Sequence, residues 1–126
     1  MRVTGFDHLV LTVASIEQTA SFYERVLGMT REVFGAERRT ALRFGPHKIN
    51  LHEQGREYEP KADAPTLGSA DLCFLVEGFE AVARHLAAEG VPILDGPVER
   101  TGARGRILSY YIRDPDMNLI ELSHYP

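Results

Sequence analysis

HLVLTVASIEQTASFYERVLG, residues 8–28, and DLCFLVEGFEAVARHLAAEG, residues 71–90, follow one plan twice. In the first copy Val3 to Val13 alternates Phe6, His8, Val10 and Thr12 with Asp7, Leu9, Leu11 and Val13, the period-2 pattern of a strand with one aliphatic side. Ser15-Ile16-Glu17-Gln18 then reads as a capping box, and Ile16, Ala20, Tyr23 and Leu27 recur at helical spacing up to Gly28, a left-handed stop. In the second copy Ala70–Val76 is a strand, and Phe79, Val82, Ala83, Leu86 and Ala87 form a helical stripe ended by Gly90. Outward from the first copy, short apolar runs at Arg31–Phe34, Thr40–Phe44 and Lys48–His52 are separated by Gly35 and by Gly45-Pro46. Outward from the second, Pro92–Leu94, Leu108–Arg113 and Leu119–Ser123 are three further strand candidates. The expectation is an α+β chain of two βαβββ modules, residues 1–58 and 69–126, joined by a linker at 59–68.

Composition narrows the function. The 126 residues are 44% apolar and 25% charged, the profile of a folded globular chain rather than a disordered one. A net charge of -4 gives no electrostatic reason for nucleic acid or an anionic membrane as partner. No apolar run approaches the roughly 20 residues of a membrane span, and too few residues precede Phe6 for a signal peptide, so a cytoplasmic location is expected. The single cysteine, Cys73, has no internal disulfide partner, which fits a reducing compartment, and it reads as a core thiol.

Aligning the copies puts His8 opposite Asp71, and aligning the last strands puts Asn50 opposite Glu121. The side of each strand away from its helix then carries His8 and Thr12; Lys48, Asn50 and His52; Asp71 and Cys73; and Glu121 and Ser123. Carboxylates are rarely buried without a partner, so such a face is expected to hold a ligand. An imidazole and two carboxylates make a nitrogen and oxygen set suited to a divalent ion with positions left for substrate: His8, Asp71 and Glu121. His52, two residues beyond Asn50, is either a further ligand or a general base. Taken singly, each of these is also compatible with a hydrogen-bonded strand residue, and Glu121 turns outward if the register slips by one. Arg100, Arg104 and Arg106, set among Gly102 and Gly105, read as a loop that either grips an anion through guanidinium forks or is simply solvated.

The segments Asp7–Val13, Ser21-Phe22-Tyr23 with Leu27-Gly28-Met29, and Asp114–Leu122 resemble the vicinal oxygen chelate superfamily of glyoxalases, fosfomycin-resistance proteins and dioxygenases. A closer resemblance, to a subgroup that includes glyoxalase domain-containing protein 5 and related bacterial virulence-associated proteins, rests on Asn50–Glu53, Glu59–Ala62 and Gly96–Ala103. The resemblance implies curved mixed sheets, each backed by a helix, that together form a cup. It also implies a divalent metal (Zn, Mn, Ni or Fe) at slots that fall on His8, Asn50, Asp71 and Glu121, and a homodimer in which His8 and Asn50 of one subunit face Asp71 and Glu121 of the other. Many members have His where Asp71 stands, and glyoxalase itself has Glu where Asn50 stands; an amide is the poorer ligand, which makes Asn50 a substrate contact here. The implied activity is a lyase, isomerase or epimerase acting on a small oxygenated, anionic molecule, with Glu121 or His52 as base, Asn50 and the three arginines binding substrate. Two alternatives are an epoxide-opening transferase or hydrolase of the fosfomycin-resistance type and a metal-free sequestering protein of the bleomycin-resistance type. The absence of Trp and the presence of His8 and Glu121 favour chemistry over sequestration.

Overall fold

A computed structural model describes all 126 residues. The chain divides into two compact units, residues 1–67 and 68–126. No helix is long and apolar enough to cross a membrane.

The first unit runs β1 (His8–Val13), α1 (Ile16–Leu27), β2 (Thr30–Phe34), β3 (Arg39–Phe44) and β4 (His47–Glu53), with spatial order β1-β4-β3-β2. β1 pairs parallel with β4, His8 opposite Lys48 and Thr12 opposite His52, and the other pairs are antiparallel. The second unit repeats this with β5 (Asp71–Leu75), a 3-10 turn (Phe79–Ala81), α2 (Val82–Ala88), β6 (Asp95–Gly102), β7 (Gly105–Arg113) and β8 (Leu119–His124), in order β5-β8-β7-β6. Both are open, mixed, four-stranded sheets, as the repeat in the sequence implies.

The helix of the first unit forms for the reasons its sequence states. Ser15 is extended (φ -141°), and its hydroxyl accepts from the Gln18 amide at 3.2 Å; Gly28 closes the helix at φ 68° with its N–H on Glu24 O. Ala20, Tyr23 and Val26 are buried, together with Leu11, Val13, Leu42, Ile49 and Leu51 from the facing strands. Burying each large side chain is worth roughly 1.5–3 kcal/mol, so this layer holds helix to sheet. In the second unit Ile112, Ile120 and Leu122 are buried with Val82 and Leu86, and Phe79 packs on Tyr110 and stacks on His124 at 4.1 Å. His124 is thus part of a ring stack.

Several boundaries differ from the sequence reading, among them the start of β7, at Gly105 rather than Leu108. β1 starts at His8 rather than Val3, because its pairing with β4 begins at His8 and Lys48; Phe6 is left 86% exposed. The sixth strand is Asp95–Gly102, not Pro92–Leu94. Residues 100–106 are therefore not a loop: Arg100 is in β6, Arg106 is in β7, and only Ala103 and Arg104 make the turn between paired Gly102 and Gly105.

The connection from β7 to β8 is built around one carboxylate. Asp114 Oδ1 accepts from the amides of Asp116 at 2.9 Å and Asn118 at 3.0 Å, and Oδ2 accepts from the Asn118 side-chain amide at 2.8 Å. Asn118 Oδ1 in turn accepts from the Ala70 amide at 2.9 Å, tying the start of β8 to the start of β5. Both side chains are buried, which fixes where Glu121 emerges.

Candidate functional site

In the first unit, strand alternation and the parallel register put His8, Val10, Thr12, Lys48, Asn50 and His52 on the sheet face away from α1, and pairing of Ala41 with Asn50 brings Arg39 to the same face. His8 Nδ1 lies 2.7 Å from Asp7 Oδ1, which orients the ring and leaves Nε2 without a protein partner. Asn50 is only 5% exposed, and its Oδ1 is buried with no donor. His52, 4% exposed, has its Nε2 3.0 Å from Arg39 Nη2. A guanidinium can only donate, so His52 Nε2 is the acceptor and the proton of this neutral ring sits on Nδ1. Burial, and next the Arg39 charge, hold the His52 pKa below the ordinary histidine value; Glu57 opposes this weakly. Tyr58 meets the His52 ring edge-on at 5.6 Å and lies 4.4 Å from the Arg39 guanidinium carbon.

In the second unit Asp71, Cys73, Glu121, Ser123, Ser109 and Tyr111 share the corresponding face, with Cys73 beside Glu121 and Tyr111 beside Glu121 on the other flank. Ser109 donates its hydroxyl to Glu121 Oε2 at 2.6 Å and lies 2.7 Å from Ser123 Oγ, which is 3.3 Å from Cys73 Sγ. One direction of donation satisfies all four groups: Cys73 to Ser123, Ser123 to Ser109, Ser109 to Glu121 Oε2. Ser123 also lies 3.3 Å from Glu121 Oε2, and the Tyr111 hydroxyl and the Cys73 thiol hydrogen-bond to the same carboxylate. Burial pushes the Cys73 thiol up, helped by the charges of Glu121 and Asp71, so this cysteine is a donor in a network rather than a thiolate nucleophile.

The structure thus brings His8 with Asn50 and His52, and Asp71 with Glu121, each set on one sheet face. No three or more His, Cys, Asp or Glu side chains form a group that could hold a metal. The donor chemistry nevertheless fits a divalent ion in parts: His8 is anchored through Nδ1 and presents Nε2, and Ser109 orients the Glu121 carboxylate, as ligands with an orienting partner are held.

The three arginines of the β6–β7 hairpin are engaged. Arg100 donates Nε to Tyr111 Oη at 3.2 Å and lies 3.5 Å from Asp95, Arg106 lies 3.6 Å from Glu99, and Arg104 covers the Tyr125 ring at 4.4 Å while its amide meets Tyr125 Oη at 3.0 Å. Of the three, Arg104 is the one without a carboxylate at ion-pair distance. Arg39, Tyr58 and Ser109 escaped the sequence reading. Carrying the alignment of the modules through to their third strands would have found two of them, since Arg39 then falls opposite Ser109.

The model of the Glyoxalase/Bleomycin resistance protein/Dioxygenase superfamily matches residues 5–122. The chain is 54% identical over 126 residues to virulence protein STM3117 of Salmonella typhimurium, covering 99% of this chain and 87% of that protein. The crystal structure of that protein superposes with a TM-score of 0.96 over all of both chains. Glyoxalase domain-containing protein RDO1 of Mycosarcoma maydis is 52% identical over 99% of this chain and 70% of its own length. Lactoylglutathione lyase of Agrobacterium tumefaciens shares the fold at a TM-score of 0.72 with 17% identity, covering 98% of this chain and 95% of that one. The chain belongs to the Glyoxalase/Bleomycin resistance protein/Dioxygenase superfamily.

Proposed function

We propose that this chain is a cytoplasmic, divalent-metal-dependent enzyme of the lyase, isomerase or epimerase type, working as a homodimer on a small oxygenated anion. The observation that carries the reading is the anchoring of His8 through Nδ1 and of Glu121 through Oε2, each by a neighbour that orients it. His8 lies in the first unit and Asp71 and Glu121 in the second. His8 of one copy with Asp71 and Glu121 of its partner completes a three-ligand shell and leaves positions for substrate. When bound, the ion supplies Lewis-acid stabilisation to substrate oxygens as negative charge develops on them. The chain's own residues do the rest. Asn50 contacts the substrate through its unpartnered Oδ1, and Arg104, at the hairpin tip, meets its anionic end. Glu121 Oε2 keeps its proton-bearing neighbour Ser109 at 2.6 Å, so the carboxylate is positioned to exchange a proton with substrate. His52, with its Nε2 held by Arg39, orients that guanidinium rather than acting as base.

Manganese titration of the purified protein, followed by its electron paramagnetic resonance, tests the metal. Binding is expected in the wild type and is weakened at least a hundredfold in His8→Ala and in Glu121→Gln. Mixing these two variants tests the dimer: one site of each mixed dimer then regains both side chains, and random pairing restores about a quarter of the wild-type sites. Unaltered binding in both variants overturns the ligand assignment, and no restoration on mixing overturns the shared site.

A further inference from the structure

Equivalent positions of the two polar sheet faces are satisfied in different ways. In the second unit the groups at Cys73, Ser123, Ser109 and Glu121 form one closed series of hydrogen bonds. The matching positions of the first unit are Val10, His52, Arg39 and Asn50, and there the series is open at two points. Arg39 Nε and Asn50 Oδ1 are both buried with no hydrogen-bond partner. One is a donor and the other an acceptor, and neither satisfies the other.

Arg39 is also a cation without a counter-ion. Its contacts are the His52 ring nitrogen and the faces of Tyr58 at 4.4 Å and Phe34 at 5.6 Å. No carboxylate lies at ion-pair distance, whereas Arg31 is paired with Glu17 and Glu24, and Arg43 with Glu32. Lys48 on the same face is likewise set over Phe34, at 3.7 Å, which adds positive charge and no acceptor. A partly desolvated guanidinium that spends one donor on an imidazole and lies over two aromatic rings is held in place with edge donors unspent. That edge matches the two coplanar oxygens of a carboxylate. A phosphate dianion would leave net negative charge and further lone pairs to satisfy.

We propose that Arg39 is the inner anchor for a ligand carboxylate and that Asn50 Oδ1 accepts a hydroxyl proton from the same molecule, so that the ligand class is a small hydroxycarboxylate. This rests on the reading that the polar face of the first unit binds substrate, but not on the metal. Arg39 touches the ligand directly and discriminates charged from neutral diols, while Asn50 discriminates hydroxy acids from simple acids.

The test uses the full chain in chelator, so that no metal contributes, and follows amide resonances by NMR during titration with glycolate. Glycolate is expected to shift the resonances of residues 39, 50, 52 and 58, acetate to bind at least several-fold more weakly, and ethylene glycol at equal concentration to leave them unmoved. Arg39→Gln should weaken glycolate at least tenfold, Arg39→Lys should recover part of the loss, and Arg84→Gln on the exposed side of α2 should change nothing. Far-ultraviolet circular dichroism confirms that each variant is folded. Equal effects of glycolate and ethylene glycol, or undiminished binding in Arg39→Lys and Arg39→Gln, overturn the proposal. Inorganic phosphate that binds more tightly than glycolate and loses its affinity in Arg39→Gln overturns the carboxylate assignment in favour of a phosphoryl group. Because the metal titration is separate, loss of manganese binding with glycolate binding intact sinks only the metal.

Discussion

Replacing Asn118 by Ala removes the side chain that joins the Asp114 carboxylate to the first residue of the β5 approach. Two hydrogen bonds go: Nδ2 to Asp114 Oδ2 at 2.8 Å, a bond to a charged group, and Oδ1 from the Ala70 amide at 2.9 Å. The first is worth about 1.5–3 kcal/mol and the second about 0.5–1.5 kcal/mol. Asp114 keeps its two backbone donors, so the carboxylate is not stranded; the half-buried Ala70 amide is. The net loss is about 2–4 kcal/mol, a large share of a typical domain's stability. For a chain of this size each kcal/mol moves the midpoint by about 4 °C, so thermal unfolding by circular dichroism at fixed protein concentration should show a drop of about 8–15 °C. Asn118→Asp keeps the acceptor for Ala70 but sets a second carboxylate against Asp114 Oδ2, so it should be at least as unstable at pH 7 and recover as the pH falls through the carboxylate range. A drop of under about 3 °C in Asn118→Ala, or a stable Asn118→Asp at neutral pH, would show that this network does not hold β8 in place.

Ser109→Ala should leave the fold intact but free Glu121 Oε2 from its 2.6 Å donor, weakening manganese binding by roughly 10–100-fold, as loss of a ligand's orienting partner does; unchanged affinity would remove Ser109 from the site. At Gly96 (φ 118°) an added Cβ would come within 2.5 Å of the Ser109 carbonyl oxygen, so Gly96→Ala should cost about 3 kcal/mol or more in urea unfolding, whereas Gly35→Ala, at φ 75° in open space, should cost about 1 kcal/mol. His52 has a lowered pKa in the folded chain, so the unfolded chain takes up its proton first as the solution is acidified. Stability supplied by the neutral ring is therefore present above the ordinary histidine pKa and lost as the pH falls from there toward the lower folded value, and His52→Gln should abolish that part of the slope in denaturation series.

The modules were legible in the sequence because each strand next to a helix alternates cleanly and each helix ends on a glycine. β6 was not, because Asp95–Gly102 contains Gly96 and Pro97 and hardly any aliphatic residue; it is a strand by virtue of pairing with β7, a long-range fact that no local pattern carries. The faces of His8, Asn50, Asp71 and Glu121 followed from alternation alone. Arg39 did not, because it lies one residue outside the apolar run Thr40–Phe44 and its neighbours depend on the β3–β4 register and on Tyr58 from a segment without regular structure. The engagement of Arg100 and Arg106 was equally hidden: Arg106 meets Glu99 only once the hairpin is closed, and Arg100 meets Asp95 within β6, which no local pattern marks as a strand.

In both units the first strand made is paired only with the last: His8 with Lys48, and Asp71 with Leu119. During synthesis of the first unit β1 must therefore leave the ribosome and wait until β4 is made, up to Glu53, before the sheet can accept it. Neither unit can ripen strand by strand as a meander does, and each is completed in one late step of high loop-closure entropy. A nascent chain stalled before residue 53 has cleared the exit tunnel should remain protease-sensitive in its first half, and one stalled just after should not. Translation speed through β4 and through β8 then sets how long an unpaired parallel strand stays open to the wrong neighbour.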